Sequence, residues 1–253
     1  MRCELPATHT FMSKRHLFLS IVLIVLVTFW GSEGFGEKLA YDITPEIMPE
    51  EVETESETAV TATGTTAVEA LYTISEYDGI MRRIGKEEGQ DWLLMSAIAY
   101  SESRFQSHLV SKRGAIGLMQ IMPIVGRQFD VEVEDIAEVE TNIRLAGKLL
   151  TKIESMLKLS PSTPQNDRMS IILACYNGGV GHVADARRLA RSNGEDCNSW
   201  EVVAYYLKKK ADPTVYESEL VRHGKFTGSG QTEAYVNEVM KRYDMYRQIA
   251  SAR

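Results

Sequence analysis

From Leu71 onward the apolar residues recur at three- and four-residue steps, and no stretch alternates convincingly as a half-buried strand requires. YDGIMRRIGKEEG, DWLLMSAIAYSESRF, IVGRQFD, TNIRLAGKLLTKIESMLKL, DRMSIILACYN, VADARRLARS, WEVVAYYLKK and EAYVNEVMKRYDMYRQI each read as a helix. Turn chemistry separates them at Gly114 and Gly117, Pro161 to Pro164, Gly178 to Gly181, and Gly224 to Gly230. The first helix should end near Gly89, Asp91 suits the N-cap of the second, and Pro123 suits the first turn of the third. The pattern predicts an all-α domain over residues 71–253, roughly 180 residues, enough for a sizeable core.

The preceding residues follow other rules. Lys14, Arg15 and His16 lead into the apolar run Leu17 to Trp30, and Gly31, Ser32, Gly34 and Gly36 follow. Residues 1–36 therefore read as a secretory signal, with an uncleaved membrane anchor as the alternative, and the protein is expected to be exported to the periplasm or cell envelope. Residues 37–70 are rich in Glu, Thr and Pro, with few aromatics, and predict a flexible linker.

The net charge of −7 is uneven: residues 1–58 hold ten of the 35 acids but four of the 28 bases. The domain itself is close to neutral, so no basic field argues for nucleic acid. The lysines closing EVVAYYLKKK read as a solvated helix end whose cations complement the helix dipole. Cys175 and Cys197 leave a disulfide or two free buried thiols open, and neither has the neighbours of a metal site. No metal or cofactor is expected.

The residue that calls for chemistry is Glu102. Ile98, Leu94 and Met95 precede it at helical spacing, so a carboxyl continues an apolar stripe. A buried acid satisfied by an arginine or helix end is one reading; the other is a general acid that desolvation keeps protonated near neutrality. GAIGLMQIMP follows closely. Its glycines allow tight turns and close backbone approach, its methionines offer adaptable apolar surface, and Gln120 offers both donor and acceptor. The arrangement suggests the wall of a groove.

ESRF, Ser111 nine residues after the glutamate, GAIGLMQIMP, ACYNGG and TEAYVNEV occur in the order and approximate spacing of the soluble-lytic-transglycosylase-like family, over about residues 73 to 250. The chain resembles that family, and GHVADARRLA with Trp200 and the Tyr235 segment looks most like a membrane-bound branch of it. The resemblance implies a goose-type lysozyme-like all-α fold, with peptidoglycan glycan strands as substrate and partner. It implies Glu102 as the single acid/base, Ser111 facing the reacting sugar, and Gln120 and Met122 lining the saccharide groove. Tyr176 and Asn177 would stand beside that groove and Tyr235 near the acid; core filling and helix capping are the plainer readings of the last three. Departures occur at Cys175, at Gly178 before a Gly-Val-Gly turn, and at Gln231-Thr232-Glu233. The branch's solute-binding-like domain has only the acidic linker in its place. A hydrolytic muramidase, a non-catalytic peptidoglycan-binding module and a helical interaction domain are the competing readings.

Overall fold

The computed structural model describes residues 72–252. The expected signal or anchor (1–36) and linker (37–70) lie outside the described residues.

The described domain is all-α. In chain order the helices are α1 (Asp78–Glu88), α2 (Trp92–Ser103), α3 (Pro123–Gln128), a 3-10 turn (Glu134–Ala137), α4 (Val139–Leu157), α5 (Gln165–Gly178), α6 (Val180–Ser192), α7 (Trp200–Lys209), α8 (Pro213–Tyr216) and α9 (Ser229–Ser251). Single bridges pair Val110 with Ile116 and Ile116 with Ile121.

Local chemistry sets the boundaries. Gly89 adopts the left-handed conformation at φ 70° and closes α1 by donating to the Gly85 carbonyl. Asp91 caps α2 by accepting from the Leu93 N–H at 2.8 Å. The Tyr243 hydroxyl donates to the other Asp91 oxygen at 2.6 Å, so one carboxylate starts α2 and ties it to α9. Pro123 occupies the first turn of α3, where its missing N–H costs nothing. Glu138 caps α4 through the Glu140 and Thr141 N–H groups. The expected turn over Gly178 to Gly181 contracts: Gly178 ends α5, Val180 begins α6, and Gly179 at φ 92° is the single residue between them.

The core is built around α2, α5 and α9, the last packing against both of the others. In α2 the buried run Leu93 to Ala99 is continuous, so this helix is enclosed on every side rather than along the one stripe expected. In α9 the buried residues Tyr235, Val236, Val239, Tyr243 and Tyr246 form one face.

The lysines at the end of α7 correct another expectation. Lys208 and Lys209 are exposed, but Lys210 is wholly buried. Its Nζ lies 2.7 Å from Asp185 Oδ2 and 2.9 Å from His182 Nδ1. Asp185, also wholly buried, accepts further from Arg188 Nη1 at 2.6 Å and from the backbone N–H groups of Arg222 and His223 at 3.0 and 2.8 Å. Cys175 and Cys197 are free, the first buried and the second partly so.

Candidate active site

Glu102 sits in the last turn of α2, the helix whose residues Leu93 to Ala99 are all buried. The chain then reverses through two successive non-glycine residues in the left-handed region, Arg104 at φ 54° and Phe105 at φ 64°. The Arg104 N–H closes the helix on the Tyr100 carbonyl at 2.9 Å. Ser103, buried, places its hydroxyl 3.0 Å from the Ala99 carbonyl and 2.7 Å from the Leu118 carbonyl, joining the helix end to the following loop.

That loop is held open in a defined shape. Ser111 and Ala115 pair, with Ser111 N–H donating to the Ala115 carbonyl and Ala115 N–H donating to Ser111 Oγ, both at 2.9 Å. The Gly117 N–H donates to the Leu109 carbonyl at 2.8 Å, and Ile116 and Ile121 exchange two backbone bonds at 2.9 Å. Gly117 lies at φ 78°, and a Cβ there would stand 2.7 Å from Asn142 Nδ2, so both conformation and space call for glycine. Gln120 also adopts a left-handed conformation, at φ 48°.

Asn142 of α4 anchors this loop from beneath. Fully buried, it accepts from the Met119 N–H at 2.7 Å and donates to the Ile116 and Ile136 carbonyls at 2.9 and 2.8 Å. Asn142→Leu keeps similar bulk but strands one N–H and two carbonyls. A loss of about 3 kcal/mol or more is expected, read as a lower denaturation midpoint. A midpoint within error of wild type would contradict the anchoring role.

Helices α5 and α9 join this loop around Glu102. The Tyr176 hydroxyl donates to the Met119 carbonyl at 2.8 Å, tying α5 to the loop. Asn177 accepts from the Thr232 hydroxyl at 3.0 Å. It lies within the last turn of α5 rather than capping it, and its side chain links α5 to α9 three residues before Tyr235. A Cβ on Gly178 would meet Thr232 Oγ1 at 3.0 Å and Phe226 Cζ at 3.2 Å, which lets the two helices approach closely. The Tyr235 hydroxyl is buried without a hydrogen-bond partner in bonding geometry, in a residue 9% exposed.

Electrostatics bring these groups together on Glu102. Burial pushes its carboxyl up to about 7 from the ordinary 4.5; the Tyr235 hydroxyl opposes this, and the charge of Glu238 on α9 reinforces it. Tyr176 and Tyr235 are both held well above the usual phenol range, first by burial and then by the Glu102 charge. Glu102, Tyr176 and Tyr235 thus share one electrostatic environment. Ser111 and Gln120 direct hydrogen bonds into the loop backbone: Gln120 Nε2 donates to the Leu109 and Gly117 carbonyls at 3.1 and 2.9 Å. Met122, at the N-cap of α3, is 39% exposed. Ser103, Asn142, Thr232 and Glu238 are structural partners of the site that sequence reasoning passed over. Asn142 left a signal, a polar residue among Ile143, Leu145 and Ala146 in a buried segment.

An all-α domain presenting one desolvated carboxyl to a buried and a partly buried tyrosine is a site suited to general acid/base chemistry. Residues 80–198 match the Transglycosylase SLT domain family, and the chain carries a domain of that family. It is 31% identical over 169 residues to the membrane-bound lytic murein transglycosylase F of Alcanivorax borkumensis, covering 67% of this chain and 35% of the relative. The Stutzerimonas stutzeri protein of the same name is 33% identical over 172 residues, covering 68% and 34%. The chain thus spans about a third of the length of the curated relatives it matches. Among solved structures, the 70 kDa soluble lytic transglycosylase from Escherichia coli superposes with a TM-score of 0.49 at 21% identity, over 69% of this chain and 24% of that one.

Proposed function

We propose that this protein is a peptidoglycan lytic transglycosylase that cleaves the β-1,4 bond between N-acetylmuramic acid and N-acetylglucosamine. The observation that carries this reading is the Glu102 carboxyl, pushed up to about 7 at the end of an enclosed helix and attended by Tyr235. A group balanced there can hold a proton or receive one at neutral pH.

A single acid suffices if the substrate supplies the rest. Retaining glycosidases commonly use two carboxylates, but substrate-assisted enzymes recruit the sugar's own N-acetyl oxygen. Glu102 donates its proton to the glycosidic oxygen as the bond from muramic C1 breaks, with the acetamido oxygen closing onto C1. The resulting carboxylate takes the proton of the C6 hydroxyl, and O6 displaces the acetamido oxygen at C1. A 1,6-anhydromuramyl end forms, water is not consumed, and Glu102 regains its proton. Ser111, Gln120 and Met122 would line the groove on the loop side, and Tyr176, Asn177 and Tyr235 on the helix side. The other carboxylate acting on Glu102, Glu238, is engaged with Arg104 at 2.6 Å, which disfavours it as a nucleophile.

The relatives' names support an envelope location, with residues 1–36 as signal or anchor, 37–70 as linker and 71–253 as catalytic domain. Among the described residues no helix is long and apolar enough to cross a membrane.

Mass spectrometry of sugar fragments released from purified peptidoglycan tests the reaction. Anhydro products, lighter by one water than reducing-end species, are expected from the full chain. Reducing ends would replace this reading with a muramidase, and binding without release would replace it with a recognition module.

A further inference from the structure

The charged pair beside Glu102 joins the end of α2 to α9. Arg104 Nη1 lies 2.6 Å from Glu238 Oε1, and the two side chains are 49% and 40% exposed. Ion pairs this open contribute little to stability. Their placement is less ordinary. Arg104 is the left-handed cap that ends the helix carrying Glu102, and its Nη1 also reaches the Tyr100 carbonyl at 3.3 Å. Its guanidinium stands over the Tyr100 ring at 4.4 Å, and Arg242 of α9 stands over the same ring at 3.4 Å. Glu238 follows Tyr235 by three residues on α9, so the two share a helix face.

We propose that Arg104 and Glu238 form a tuning pair for the acid: Glu238 presents a negative charge to Glu102, and Arg104 sets how much of that charge Glu102 feels. Both are positioning residues that act through Glu102, and the inference rests on reading Glu102 as the acid. Tyr235 and Glu238 act on Glu102 from α9, Tyr176 shares its environment from α5, and Arg104 ends its own helix. Around Glu238, Lys241 and Arg242 lie within about one turn on α9, and the loop after Arg104 carries His108, Lys112 and Arg113. A carboxylate near a desolvated acid disfavours a second negative charge, which agrees with the Glu238 contribution that raises Glu102. Removing the Arg104 charge leaves Glu238 unscreened; removing the Glu238 charge leaves Arg104 free to favour the Glu102 carboxylate. The two losses act in opposite senses, which a general loosening of the α2–α9 contact cannot produce.

The test is an NMR titration of the Glu102 side-chain carboxyl in the full chain, for wild type, Glu238→Gln, Arg104→Met and Arg104→Lys. Glu238→Gln should lower the midpoint by about half a unit and Arg104→Met should raise it by a similar amount, as for single charges in a largely solvated setting. Arg104→Lys should restore most of the wild-type value, and added salt should shrink both shifts. Unchanged midpoints, or shifts in the same direction, would overturn the tuning pair. The alkaline limb of cleavage activity should move with the midpoint. Opposite NMR shifts in a protein that never cleaves glycan would uphold the pair while removing the catalytic reading of Glu102.

Discussion

Glu102→Gln should lower cleavage of peptidoglycan by at least about 10³-fold, since one side chain serves as acid and then as base. The same substitution should make the domain more stable at neutral and alkaline pH. Burial raises the Glu102 carboxyl from 4.5 to about 7, so its ionised form is disfavoured in the folded protein. For a group raised on folding, the favourable contribution is complete below the unfolded value near 4.5 and is lost as pH rises through about 7. A neutral glutamine escapes that loss. The expected difference at pH 8 is on the order of 1–2 kcal/mol, discounted because the side chain keeps some exposure, and it should vanish near pH 4.5. Thermal melts of both proteins across this range, beside sugar release from sacculi, check the paired outcome. Activity of the wild type should in turn decline above about pH 7, where the free protein loses the acid form. Retained cleavage by the glutamine variant would remove Glu102 from the reaction. Lost cleavage with lost stability would mark it as structural instead.

The second large effect belongs to Asp185. Its removal in Asp185→Ala leaves Lys210 wholly buried without its counter-ion, and also strands the Arg222 and His223 N–H groups. Breaking a buried pair from one side costs about 3–5 kcal/mol, or a fall in Tm of roughly 6–20 °C for a domain of this size. The wild type should carry an acid sensitivity from the same cluster. Burial, and then the Lys210 charge, depress His182 from 6.5 to about 4, so stability falls as pH drops through that window. Burial works against the Asp185 carboxylate, but hydrogen bonds from Lys210, the Arg222 N–H and Arg188 overcome it and hold the group well below the usual range. Its contribution is therefore present above about 3.8 and lost progressively below. Burial also draws Lys210 downward, opposed by Asp185; the Asp185 direction decides that the pair is ionised at neutral pH. Circular-dichroism melts from pH 7 to pH 3 should show a wild-type decline whose lower part is missing in Asp185→Ala. Equal melting of the two proteins at pH 7 would refute the account.

Periodicity made the helices legible because it is a local property. α7 begins and ends where WEVVAYYLKK does, and Asp91 caps α2 as its residue type suggests. Lys210 was not legible, because its burial depends on Asp185, twenty-five positions earlier, and a run of three lysines looks the same whether or not the last folds inward. The enclosure of α2 was missed for a related reason: Leu94, Met95 and Ile98 mark one face, while burial of Ser96 and Ala97 depends on which helices surround it. In the site, Glu102, Tyr176 and Tyr235 share an environment that the order of motifs alone suggested. Gln120, picked out for its donor and acceptor, commits its amide donor to shaping its own loop. Glu238 carries no signature of its own, since its relation to Glu102 exists once α2 and α9 lie side by side.

The Asp185–Lys210 cluster also separates the span of the family match from the unit that can fold. The family match ends at residue 198, yet Asp185 finds its counter-ion at 210 and its N–H donors at 222 and 223. Asn177 finds its hydroxyl donor at 232, Asp91 its phenol at 243, and Glu102 its tyrosine at 235. A fragment cut at the family boundary would keep every motif through ACYNGG and still lack the partners that neutralise its deepest charge and complete its acid. In this protein the last fifty-odd residues are the clasp of the domain, and any truncation, fusion or swap has to carry them along.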